Sequence, residues 1–121
     1  MTLIATTVAT PLGPMSLLGT PDCLQVAAFG DDIDDLRDRL AASLRAEPVE
    51  RGETPASAAL RDYFAGDARA LDRVDVRQPG GPFHTAVWAA MRAIPPGTTV
   101  SYSELAARAG APRAARAAAA A

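Results

Sequence analysis

The chain offers few side chains that could make or break a covalent bond. It has one cysteine, Cys23, and one histidine, His84. A thiol becomes a nucleophile when a neighbouring base or positive charge lowers its pKa. Cys23 instead precedes the apolar run Leu24-Gln25-Val26-Ala27-Ala28-Phe29, far from the other polar candidates, and reads as a small buried hydrophobe. His84 sits beside Phe83 at a helix start and is given no catalytic role. One cysteine and one histidine assemble neither an internal disulfide nor a zinc-ligand cluster, so no metal and no cofactor is expected. The residues that could act on a ligand are phenolic, hydroxylic and cationic: Ser101-Tyr102-Ser103, then Arg108, Arg113 and Arg116. Such groups contact phosphate, and a phenol adds a rigid body with one donor and acceptor tip.

These residues need a scaffold, and the stretch from Phe83 to Arg116 reads as three helices on two short connectors. Phe83, Val87, Trp88 and Met91 recur at the spacing of one apolar helix face, and Pro95-Pro96-Gly97 forbids continuation. Ser101 and Glu104 stand at capping-box spacing and open a second helix. The cap alone explains Ser101; a phosphate contact is its second reading. Gly110 ends that helix, since a residue without a Cβ enters the left-handed region at little cost. A third helix is expected from about Pro112, a good first-turn residue, with Arg113 and Arg116 on the same side. Ala117 to Ala121 reads either as the middle of that helix or as an unstructured tail. Helix, glycine-containing turn and arginine-bearing helix are the parts of a helix-turn-helix.

The order Phe83, Val87-Trp88, Ile94-Pro95, Gly97, Thr99-Val100-Ser101-Tyr102, Glu104-Leu105-Ala106, Gly110, Pro112 and Arg116-Ala117 resembles the methylated-DNA–protein-cysteine methyltransferases, or O6-alkylguanine-DNA alkyltransferases. The resemblance implies suicidal transfer of an alkyl group from O6-alkylguanine in duplex DNA to a protein cysteine. An atom inside the duplex is reached by flipping its nucleotide out. The matching position for the arginine that fills the vacated stack is Arg116, and Tyr102 matches the tyrosine that crowds the phosphate beside the flipped base and helps protonate the leaving guanine. Ser103 and Arg113 are the expected phosphate contacts. Ala114 and Ala117 let the helix approach the groove closely, or are filler. The family's acceptor motif, Pro-Cys-His-Arg, occurs nowhere in these residues, nor does the tryptophan-bearing variant of the alkyltransferase-like proteins. The expectation is therefore a C-terminally truncated family member, inactive as written. The alternatives are a non-enzymatic damage-binding module and a gene remnant.

The preceding residues read as a small α/β (α+β) domain. Leu3 to Val8, Met15 to Leu18 and Leu24 to Phe29 are short strands in a meander, with Thr10-Pro11-Leu12-Gly13-Pro14 turning between the first two. Val26 and Ala28 should share one face of the third strand. Asp31-Asp32 opens a helix whose stripe is Ile33, Leu36, Leu40 and Leu44. Pro48 to Pro55 reads as a connector, Ala56 to Ala65 as a helix presenting Leu60, Tyr63 and Phe64, and Val74 with Val76 as an extended piece. Gln78-Pro79-Gly80-Gly81-Pro82 is the plainest linker. The expected domains are 1–77, ribonuclease-H-like by the resemblance; 78–82, linker; and 83–121, an incomplete winged helix.

Charge divides along the same line. Met1 to Pro82 carries eight arginines against thirteen acids, a net of −5, while Phe83 to Ala121 carries four arginines against Glu104, a net of +3. A positive segment on a negative body suits a module that faces phosphate. The 49% apolar and 21% charged content places the chain among globular sequences. With no spanning run and no signal pattern, the expectation is a cytoplasmic monomer off the membrane, with DNA binding that is weak and mainly electrostatic.

Overall fold

The computed structural model describes every residue from Met1 to Ala121. It is a mixed α/β fold with a four-stranded sheet and five α-helices. The chain divides into two compact units, Met1–Gln78 and Pro79–Ala121.

In the first unit, β1 (Leu3–Thr10) and β2 (Gly13–Gly19) form an antiparallel hairpin. Thr10 faces Gly13 across a two-residue loop. Gly13 takes φ 107, a left-handed value that suits a residue without a Cβ. The Thr10 hydroxyl tightens the loop, donating to the Gly13 carbonyl at 2.6 Å and accepting from the Leu12 N–H at 3.1 Å. β3 (Leu24–Phe29) pairs antiparallel with β2. A fourth strand, β4 (Val49–Arg51), lies parallel to β1, giving the order β3-β2-β1-β4. This corrects the reading of Pro48 to Pro55 as a plain connector. Main-chain bonds hold β4, with Val49 its one apolar anchor on the core: Leu3 N–H donates to Pro48 at 2.8 Å and Gly52 N–H to Ala5 at 3.1 Å. Two of its three residues are exposed, so it lacks strand periodicity.

The sheet is buried on both faces. Leu3, Ala5 and Leu18 join Leu36 and Leu40 in one cluster, with Val26 and Ala28 packed against it; Val8 and Leu17 join Leu60 in the other. The adjacent pair Leu17 and Leu18 thus serves opposite layers, as strand geometry requires. Leu24 and Val26, two residues apart, also belong to opposite clusters. The irregular register at Leu18/Gly19 explains this, because an extra residue in one strand resets which face its side chains take.

The first layer is α1 (Ile33–Asp38), capped by the Asp32 carboxylate, which accepts from the Asp35 N–H at 3.1 Å. It is shorter than the leucine stripe suggests. Ala41 is extended, with φ −54 and ψ 141, and Leu44 reaches the core from a 3-10 turn, Ala42–Leu44. No glycine or proline marks that break. The second layer is α2 (Pro55–Phe64), opened by a capping box between Thr54 and Ser57 and closed at Gly66, φ 118. Leu60 and Phe64 pack inward, and Tyr63 stays 40% exposed. A 3-10 turn, Ala70–Arg73, follows, with Ala70 fully buried. Val74 is buried, while Val76 makes a single parallel bridge to Leu24.

In the second unit, α3 (Pro82–Arg92) begins with Pro82 in its first turn. Val87 is fully buried, and Phe83 packs beside it. Met91, expected on the same face, is 48% exposed. The core is completed by α4 (Tyr102–Arg108), through Leu105 and Ala106, and α5 (Ala115–Ala120), through Ala118. None of these helices, nor those of the first unit, is long and apolar enough to cross a membrane.

Candidate nucleic-acid interface

The candidate residues lie on α4, α5 and the turn between them. Ser101 is the N-cap of α4, its hydroxyl accepting from the Glu104 N–H at 3.1 Å, so the serine side of the expected box forms. That bond fixes the first turn and turns Leu105 and Ala106 inward, where both are buried. Tyr102 and Ser103, in the first turn of the helix, face solvent, Tyr102 at 62% exposure.

The end of α4 is set by Gly110, φ 87. The Gly110 N–H donates to Ala107 at 3.0 Å and the Ala111 N–H to Ala106 at 2.9 Å, the paired bonds of a Schellman motif. The next helix starts later than Pro112. Pro112 and Arg113 lie in a turn, Ala114 N–H donates to Ala111 at 2.9 Å, and Ala114 has φ −103 and ψ 35, outside the helical region. The helix begins at Ala115. This corrects the expectation that Arg113 and Arg116 share a helix face: Arg113 projects from the turn, and Arg116 is the second residue of α5. The chain leaves the Schellman motif into a turn closed by the Ala114 N–H on the Ala111 carbonyl, and the helical conformation begins only after Ala114.

The outer surface of α5 consists of Arg116, Ala117, Ala119 and Ala120, all exposed, while Ala118 turns inward. Arg116 is thus the only long side chain on that helix. A helix clothed in methyl groups brings its backbone close to whatever it meets, with one guanidinium reaching beyond. Ala114, half-buried, is the residue before it.

Electrostatically the two units differ. The arginine ion pairs Arg39–Asp35, Arg61–Glu53, Arg69–Asp72 and Arg73 with Asp62 and Asp67 all lie in the first unit. Arg108, Arg113 and Arg116 are exposed and held in none of them. Arginines already paired with carboxylates have little to offer a phosphate, and unpaired ones present five donors each in a fixed fork.

Of the two residues of thiol and imidazole chemistry, one lies in each unit. Cys23, a half-buried free thiol, lines a cavity of about 190 Å³ in the first unit with Leu24, Ala56 and Arg73. His84 is exposed on α3 with its ring 5.9 Å from that of Trp88 and 6.0 Å from Phe83, an aromatic surface cluster. The exposure of Tyr102 was not legible from helical spacing, which puts it three and four residues before Leu105 and Ala106 on the same face; it is exposed as the first residue of α4.

Residues 82–121 match the family model of the 6-O-methylguanine DNA methyltransferase DNA-binding domain. The methylated-DNA–protein-cysteine methyltransferase of Salmonella typhimurium is 35% identical over 123 residues, covering 95% of this chain and 70% of the relative. The constitutive enzyme of Bacillus subtilis is 32% identical, with 93% and 67% covered. Among solved structures, Mycobacterium tuberculosis OGT in complex with DNA aligns with a TM-score of 0.71 at 30% identity, over 96% of this chain and 66% of that one.

Proposed function

Because this chain belongs to the methylated-DNA–protein-cysteine methyltransferase family of DNA repair proteins, we propose that α4, the turn and α5 form the surface that reads duplex DNA carrying O6-alkylguanine. The observation that carries this reading is the exposed surface of α5, bare except for Arg116, beside the unpaired Arg108 and Arg113 and the outward Tyr102. In this reading the methyl-clothed helix enters the groove, Arg116 fills the stack vacated by the flipped nucleotide, and Tyr102 presses on the neighbouring phosphate. Arg113 and Ser103 hold the backbone, Ala114 keeps the start of α5 close, and Ser101 serves as helix cap.

The same reading takes residues 1–77 as a ribonuclease-H-like domain, 78–82 as linker and 83–121 as a winged-helix segment. The protein acts in it as a cytoplasmic monomer without metal or cofactor. It assigns no acceptor thiol to these 121 residues: Pro-Cys-His-Arg is absent from them, and Cys23 lines a cavity of the sheet-bearing unit. A polypeptide of these residues binds damaged duplex and transfers nothing.

The test is a duplex with O6-methylguanine beside 2-aminopurine, whose emission rises when its neighbour leaves the stack. Arg116→Ala is expected to lose most of that rise, and Arg113→Ala to keep it while binding more weakly. Each phosphate contact contributes about −0.9 to the slope of log K against log salt, so Arg113→Ala should flatten the slope by about that amount. Equal flipping by Arg116→Ala and the parent would overturn the assignment. Mass analysis after incubation should show Cys23 unmodified; a stoichiometric methyl adduct there would refute the absence of an acceptor.

A further inference from the structure

The connector Gln78-Pro79-Gly80-Gly81-Pro82 reads as flexible, yet one of its glycines is required for a reason other than flexibility. A Cβ placed on Gly80 would stand 2.6 Å from Cη2 and 2.8 Å from Cζ3 of the Trp88 indole, and 3.4 Å from the Cβ of His84. A Cβ on the neighbouring Gly81 would meet nothing within 4 Å. Gly80 does not have a positive φ, so glycine stands there for close approach to the ring rather than for backbone conformation. Upstream, the Arg77 N–H donates to the Leu24 carbonyl at 2.9 Å, beside the single bridge between Leu24 and Val76.

We propose that Gly80 and Trp88 form a strap: the backbone at Gly80 lies on the indole and is fixed to α3. With Pro82 already in α3, the free length of the connector then shrinks from the four residues Gln78 to Gly81 down to Gln78-Pro79, and the ring of Pro79 removes one of its soft torsions. The joint is therefore short and stiff, and Gly80 is a positioning residue. This rests on backbone and ring geometry alone and stands apart from any role of Arg116 or Tyr102 in DNA binding.

Trp88 is the only tryptophan, so its emission reports the strap without a label, and trypsin cleavage after the exposed Arg77 reports the freedom of the connector. Both are read on the full chain. Gly80→Ala should shift Trp88 emission to the red, and fragments 1–77 and 78–121 should appear about tenfold faster by mass, the change that an overpacking cost of about 1.4 kcal/mol produces. Gly81→Ala should leave both unchanged. Phenylalanine lacks Cη2 and Cζ3, so Gly80→Ala with Trp88→Phe should be cut at the rate of Trp88→Phe alone. A red shift without faster cleavage would mean that the indole yields and the connector does not, which overturns the strap. So would equal acceleration by Gly81→Ala, or a double variant cut about tenfold faster than Trp88→Phe. If Gly80→Ala alone lost its helical signal, the double variant would still decide between these outcomes.

Discussion

The first unit fills its two layers with branched side chains, Leu3, Leu18, Leu36 and Leu40 on one face of the sheet and Val8, Leu17 and Leu60 on the other. The second closes three helices on Val87, Leu105 and the methyl groups of Ala106 and Ala118. Fully burying a leucine contributes about 1.5–3 kcal/mol, and an alanine methyl far less. The first unit is thus a self-supporting scaffold, and the second has little stability beyond what its fold requires. The difference has a use. Alanine keeps α4 and α5 close together and leaves α5 thin, and Arg108, Arg113 and Arg116 stand outside the ion pairs that hold Arg39, Arg61, Arg69 and Arg73 in the first unit.

Breaking the scaffold should give the largest effect. Leu18 is fully buried between the sheet and α1, and Leu18→Ala should lower stability by about 3–4 kcal/mol, as large cavities under a sheet do. Urea unfolding followed by far-UV dichroism measures it. A loss below about 1 kcal/mol would show that the leucine layer is not what holds the unit.

In the second unit Leu105→Ala should cost about 2–3 kcal/mol, with a local consequence. Because so few large side chains close this core, amide exchange in α4 and α5 should accelerate to that of an open chain, while β1 to β3 keep their protection. Equal loss across both units would mean that they unfold as one, and the comparison of two cores would fail.

A smaller effect separates the two readings of Ser101. As the cap of α4, its hydroxyl bonds to the Glu104 N–H, and Ser101→Ala should destabilise that helix by about 1 kcal/mol. The salt dependence of DNA binding should not change. A slope flatter by about 0.9 would instead identify a lost phosphate contact.

Much of this architecture was legible because local chemistry and tertiary position agree. Leu24 to Phe29 is a strand at the residues expected, Gly66 and Gly110 end their helices with positive φ, and Ser101 caps as its spacing with Glu104 indicates. Two of the misreadings come from backbone bonding that side chains do not advertise. β4 is recruited by main-chain bonds to β1, while the break at Ala41, extended without a glycine or proline beside it, carries no mark in the sequence. The start of α5 is delayed by the turn that the Ala114 N–H closes on Ala111, which moved Arg113 from helix to turn. Within the candidate surface, the outward position of Arg116 follows from helical period once Ala118 is assigned to the core, whereas Tyr102 and Ser103 are exposed because they lie in the first turn of α4. The close approach of Gly80 to Trp88 does not, because a glycine in a linker carries no mark of what it touches.

The smallest expected effect is acidic, and it should fall on one unit. The Arg61 guanidinium beside Glu53, followed by the Ser57 hydroxyl, holds the Glu53 carboxyl below the ordinary glutamate range. Arg73 and the Arg69 N–H do the same for Asp67. A carboxylate whose pKa is lower folded than unfolded stabilises fully above its unfolded value, and that contribution is lost as pH falls through the folded one. Acid should therefore begin to weaken the first unit as pH falls through the ordinary carboxylate range and finish below it, by a small amount, because these groups are exposed and their pairs are screened by water and salt. In the second unit Glu104 is the only acidic side chain. Glu53→Gln should flatten the acid limb of unfolding when protection of β1 and α2 is followed from neutral pH downward, and exchange in α4 should show no change in its own pH dependence. An acid limb of equal steepness with and without Glu53 would leave the Glu53–Arg61 pair without a part in stability, and would assign the acid response of the first unit to Asp67 and its partners.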